Sequence, residues 1–199
     1  MKLKKKQLAL ALIAFLAGAF WLFAIRFVLV DKAETHYHAN FAILVEGERI
    51  PFDNFTYYEE VAACFGGVQA RPQDRVHLHD QISHVVHVHD PASTWGHLLA
   101  NLDVTLGDTV FQYKDLTFIE DDGVEIRFIL NDEEIDSVAN RVIGDEDVLL
   151  ISIGESTEEE LAQQYAEITQ DAAEYNDKTD PSSCAGGEQL TFVERVKAG

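Results

Sequence analysis

Sulfur is scarce in this 199-residue chain: two cysteines, Cys64 and Cys184, and one methionine, Met1. No CxxC pair occurs, which removes thioredoxin-like dithiol chemistry, and a soft Cu(I) site has little to be built from. Neither HExxH nor GxSxG is present, so the zinc-protease helix and the serine-hydrolase elbow are both missing. Positive charge is sparse as well. Five of the 15 basic residues sit in the first 30 positions, where there are no acids. The rest of the chain sets 10 basic against 35 acidic residues, a formal charge of −25. A field of that sign repels nucleic acid and anionic lipid head groups and attracts cations. No nucleic-acid partner is expected; a protein partner is left open and unidentified.

What the N-terminus does have is a long apolar run. After MKLKKKQ, residues 8–30 read LALALIAFLAGAFWLFAIRFVLV, with Arg26 as the sole charge. At ~1.5 Å per residue such a helix crosses a ~30 Å hydrocarbon layer, and Arg26 can snorkel to the outer interface. Lysines before the span belong on the cytoplasmic side, which puts the remainder of the chain outside. A cleaved signal has a shorter apolar region, about 7–15 residues, and a small-residue cleavage site. Here the run ends in bulky Phe27, Val28, Leu29 and Val30. The expectation is a retained single-pass anchor in the cell membrane, N-terminus cytoplasmic. Three parts follow: the basic tip and anchor (1–30), a histidine-rich extracytoplasmic domain (31–155), and an acidic helix with a C-terminal tail (156–199).

Along the domain the pattern alternates. Tyr37, Ala39, Phe41, Ile43 and Val45 share one face; His36, His38, Asn40 and Glu46 share the other, predicting a half-buried strand. Gly47 and Glu48 turn it. Two short strands follow at 75–79 and 84–89, then a helix capped by Ser93 or Thr94 and running to about Leu102. Later, Val124 to Leu130 alternate before a turn at 131–134, and VLLISIG reads as a fully buried strand. Residues 156–176 read as one long acidic helix with a Ser156–Glu159 capping box, and residues 190–196 as a last strand. Strands around one short helix predict an α+β fold with a mixed sheet, β-grasp-like, behind the transmembrane helix.

Seven of eight histidines lie in HxH or HxxHxH patterns: His36 and His38, His77 and His79, then His84, His87 and His89. Strand parity puts each HxH pair on one face. Pairing residue 79 with 87 and 77 with 89 stands four imidazoles together while Leu78 and Val88 bury opposite. His84 has the other parity, and His97 falls on the polar side of its helix. Neutral imidazole suits Cu(II) or Zn(II), and Asp80 or Asp90 could orient a ring through its second nitrogen. Cys64 is a candidate thiolate, or it pairs with Cys184, since the compartment permits a disulfide.

These segments resemble a group of bacterial and archaeal exported or membrane-anchored proteins of uncharacterised activity. The resemblance rests on HYHANFAILVEGERIPF, Cys64, VHLHD, HVVHVH, STWGHLL, FILNDEEI and GDEDVLLISIG, and covers residues 35–154. It implies a shared fold and carries His36, His38, Cys64, His77, His79, His87 and His89 over as polar positions of one site. Trp95 and His97 depart from the group's pattern. The functional expectation is a membrane-anchored extracytoplasmic module for Cu(II) or Zn(II). The alternatives are a metal-dependent oxidoreductase or hydrolase, with Tyr58, Glu59 and Glu60 as partners, and a pH-responsive partner-binding ectodomain without metal.

Overall fold

The computed structural model describes residues 5–29, 35–58, 72, 75–120, 123–176 and 178. The chain divides into two compact units, each described by itself. In the first, helix α1 (Lys5–Leu29) is 25 residues long, and its 20-residue stretch Lys5–Ala24 has a mean hydropathy of 2.1 with nothing of it buried. Leu12, Phe15, Phe20, Trp21 and Leu22 all face outward. A helix apolar on every side needs an apolar medium around it. It is long and apolar enough to cross a membrane.

The second unit is an α+β domain built on a seven-stranded mixed sheet. In chain order its strands are β1 (Tyr37–Val45), β2 (Glu48–Arg49), β3 (Val76–His79), β4 (Ile82–Val88), β8 (Ile126–Leu130), β9 (Glu133–Ile135) and β10 (Val148–Ile153). They lie in the order β3-β4-β1-β10-β8-β9, with β2 also paired to β1. Only β1 and β10 run parallel, Phe41 beside Leu149 and Ile43 beside Ile151; the other pairings are antiparallel. Helix α2 (Trp95–Asn101) follows β4, and between it and β8 comes a separate sheet of β5 (Val104–Leu106), β6 (Val110–Tyr113) and β7 (Leu116–Ile119). That small sheet was not foreseen, because its strands are only three or four residues long and half exposed.

Three hairpins close on two-residue turns with both residues at positive φ: Glu46–Gly47, Asp80–Gln81 and Asn131–Asp132. This backbone matches the twist of the strands it joins. The Asp80–Gln81 turn changes the expected register. His79 pairs with Ile82, an irregularity follows, and Leu78 then faces Val86 while His77 faces His87. His89 instead donates its backbone N–H to the Arg75 carbonyl. The slip is two residues, so facing parity survives.

Each face of the sheet has its own cover. Phe41, Ile43, Leu78, Val86, Phe128, Leu149 and Ile151 pack with Trp95, Leu98 and Leu99 of α2. Trp95 leads a helix capped by Thr94, one of the two caps the sequence offers. The partner in its capping box is His97, whose Nδ1 accepts from the Thr94 N–H at 3.1 Å. Gly96 sits so close to the chain that an added Cβ would lie 2.6 Å from the Ala139 oxygen.

The opposite face carries Ala42, Leu44, Val148 and Leu150, met by Leu161, Tyr165 and Ile168. β1 is therefore buried on both faces rather than half-buried. The expected long helix is two: α3 (Glu158–Ala166), with a Thr157–Glu160 capping box in place of Ser156–Glu159, and α4 (Ala172–Asn176). The break lets each piece dock on a different part of the sheet, α3 on β10 and α4 on β1. Cys64, Cys184, Glu59, Glu60 and the expected strand at 190–196 lie outside the described residues.

Candidate metal centre

The histidines gather on the second face, beyond the end of the apolar strip covered by α3. His38 is beside His87 across β1 and β4, and His87 is beside His77 across β4 and β3, so one row of three imidazoles crosses three strands. His36 and His89 flank the row with ring centres 5.1 Å apart, and His79 completes the group 5.0 Å from His87. His38, His77, His79 and His87 are buried; His36 and His89 are half-buried. All six imidazole ligands expected from the sequence are thus brought together.

The tightest part is His36, His38 and His87, each of which offers a ring nitrogen within 4.8 Å of the others. His38 Nε2 lies 3.0 Å from His87 Nδ1, and the ring centres of His36 and His38 are 4.7 Å apart. A tetrahedral ion at ~2.05 Å from each nitrogen would hold imidazole ring centres about 5 Å apart. Two of the three ring spacings, 4.7 and 4.2 Å, lie near that value, and the third, between His36 and His87, is 6.1 Å.

The orientation of His38 is fixed from outside the row. Asn176 Oδ1 accepts the His38 backbone N–H at 3.0 Å and lies 2.7 Å from His38 Nδ1. An atom that takes a backbone N–H is an acceptor, so Nδ1 must carry a proton, and the lone pair of neutral His38 sits on Nε2, facing His87. Asn176 Nδ2 in turn donates to Asp145 at 2.8 Å. Asn40 makes this reach possible. Its Oδ1 accepts from the Ala172 N–H at the start of α4, and its Nδ2 donates to Asp171 at 2.9 Å. Positions 38 and 40 of a strand are ~6.8 Å apart on one face; positions 172 and 176 of a helix are ~6 Å apart on one face. Anchoring Ala172 on Asn40 therefore sets Asn176 on His38.

His84 lies 3.1 Å from Asp171 Oδ2 and is part of this clamp. Burial opposes charge on Asp171, but hydrogen bonds from His84 and Asn40 hold its carboxyl below the usual range. The two acids proposed to orient rings have different jobs. Asp80 lies 3.2 Å from His79 Nδ1, whereas Asp90 binds Arg75 at 2.8 Å and caps the Ala92 N–H. Burial, reinforced by the neighbouring His38, His77, His79 and His89, drives the His87 pKa far below that of free imidazole. Its ring stays neutral, the form that ligates metal. Tyr58 gives its hydroxyl proton to the Phe52 carbonyl at 2.7 Å.

Asn40 was placed on the histidine face by parity, but its role, and those of Asn176 and Asp171, leave no local signal. Nothing in the surrounding sequence marks partners more than 130 residues away. No family model, no curated protein and no solved structure matches this chain.

Proposed function

We propose that this is a membrane-anchored transition-metal module, holding Cu(II) or Zn(II) on the extracytoplasmic side. The observation that carries the reading is the His36–His38–His87 triad: three ligand nitrogens already gathered within 4.8 Å, with one ring locked by Asn176 in a ligating tautomer. Holding a ligand's second nitrogen in this way is what metal sites require of their surroundings. The acidic surface adds a field that concentrates cations.

The length and apolar character of α1 support the anchor, with the lysines at its N-terminal end on the cytoplasmic side. A parallel central pair flanked by antiparallel strands, with α2 on one face, supports a β-grasp-like fold. Copper is favoured by the affinity order of divalent ions, zinc by a closed tetrahedral site.

The test is metal analysis of full-length protein purified without a histidine tag, followed by reconstitution at pH 7 and by absorption and electron paramagnetic resonance spectra at pH 7 and 5. Bound metal at pH 7 that is lost toward pH 5 is the expected result, because protons compete for imidazole. Less than about 0.2 equivalents after reconstitution would overturn the proposal.

A further inference from the structure

Six imidazoles exceed what one ion takes. A closed site uses four ligands, and an open one three protein ligands with a position for water or substrate. The triad described above already supplies three. The other three are His77 and His79 of β3 and His89 just past the end of β4, which is 5.1 Å from His36 as well as from His77. His77 lies 5.9 Å from His87 with parallel rings, and His79 lies 5.0 Å from His87. Taken in the order His38, His36, His89, His77, His79, His87, the rings form a closed circuit with successive centres 4.2–5.9 Å apart.

We propose that the centre is dinuclear: one divalent ion at His36, His38 and His87, and a second of the same imidazole-seeking class at His77, His79 and His89. This rests on the metal-binding reading above. Two observations place the second ion. The 5.1 Å between His77 and His89 matches the ~5 Å that a tetrahedral ion sets between imidazole ring centres. The 5.9 Å between His77 and His79 closes with a modest rotation of either ring. The Asp80 carboxylate lies 3.2 Å from His79 Nδ1, and a small rotation of either side chain would align it to accept that proton and leave Nε2 as the ligand. Carboxylates serve ligating histidines in that way. The sheet itself has no need of histidine at these positions, since a buried strand is better filled by β-branched residues. Yet His77 and His79 are as fully buried as His38 and His87. His87 lies between the two subsites and touches both.

The experiment is a titration of metal-stripped, untagged full-length protein in detergent with Zn(II), read by native mass spectrometry, and with Cu(II), read by electron paramagnetic resonance. The wild type should take two equivalents, and the second Cu(II) should bring the half-field signal of a close copper pair. His77→Asn with His89→Asn should reduce uptake to one equivalent; His36→Asn with His38→Asn should do the same. Saturation of the wild type at one equivalent would overturn the dinuclear centre and leave the metal-binding reading standing. So would two equivalents without a half-field signal, or an undiminished second equivalent in His77→Asn/His89→Asn. No uptake at all would refute the metal-binding reading itself. Should a double variant fail to fold, the wild-type stoichiometry and the half-field signal decide.

Discussion

Replacing Asn176 with alanine should weaken the proposed metal centre without touching any of its proposed ligands. The substitution removes the acceptor for two N–H groups of His38, the backbone N–H at 3.0 Å and Nδ1 at 2.7 Å. A buried donor left without an acceptor costs about 1–3 kcal/mol. Asn176 itself is only half-buried, so water can partly replace it and the lower end applies to each bond. The apo domain should therefore lose roughly 2 kcal/mol of stability. Metal affinity should fall about 10–100-fold, which is roughly 1.4–2.8 kcal/mol, because His38 is free to rotate and to adopt the tautomer with Nε2 protonated. Asn176→Asp keeps an acceptor for both N–H groups and should recover most of the affinity. It also sets a second carboxylate beside Asp145, so it should not recover all of the stability. Competition against a chromophoric chelator gives the affinities, and thermal unfolding of the apo protein gives the stability. If Asn176→Ala binds metal within about twofold of wild type, the tautomer argument is wrong, whatever happens to the melting temperature.

Other outcomes follow from the same geometry. The folded state holds the His87 pKa far below its unfolded value of 6.5. Below that pH the unfolded chain therefore binds the extra proton, and stability falls as pH falls; His87 alone should cost roughly 2 kcal/mol between pH 7 and 5. Urea titrations of the metal-free protein should show this loss, and His87→Asn should flatten it. His97→Ala removes one arm of the α2 capping box and should cost about 1 kcal/mol of stability, while metal affinity stays unchanged by competitive titration. Gly96→Ala drives a methyl group against the Ala139 carbonyl and should destabilise the domain by about 1–3 kcal/mol in denaturant unfolding. Full-length protein should stay with the membrane fraction after carbonate washing; release of a soluble species beginning near Asp31 would contradict the anchor.

Period-two alternation located β1, β4 and β8, a continuous apolar run located β10, and parity put each of the pairs His36/His38, His77/His79 and His87/His89 on one face of its strand. That inference needs only the geometry of a pleated strand. Register is a different quantity. It depends on where the turn forms, and Asp80–Gln81 gives no Asn-Gly or Gly signal to mark a two-residue hairpin. The pairing of His77 with His87 was therefore not legible, although the facing parity was. The helix expected over 156–176 failed for a related reason. Its acidic, helix-forming composition is continuous, and only the demands of docking Leu161 on one patch and Ala172 on another divide it. Asn40, Asp171 and Asn176 are ordinary polar residues until the fold juxtaposes them. The β5-β6-β7 sheet has strands too short for periodicity to register.

The parallel pairing of β1 with β10 has a consequence for how the protein is made. β1 leaves the ribosome early, yet its neighbour across the Phe41–Leu149 register arrives more than a hundred residues later, and the partner of His38 is 138 residues away. Contacts at such separation close slowly, because the intervening chain must first be ordered. Until then β1 offers an open, apolar edge to other chains. The imidazole row also stands without Asn176 for as long as α4 is missing. A nascent chain in that condition holds several histidines and no defined coordination geometry, ready to take up any available ion in the wrong arrangement. Metal loading should therefore come after synthesis is complete, and protein made in excess metal should contain a larger misfolded fraction than protein made without it and loaded afterwards.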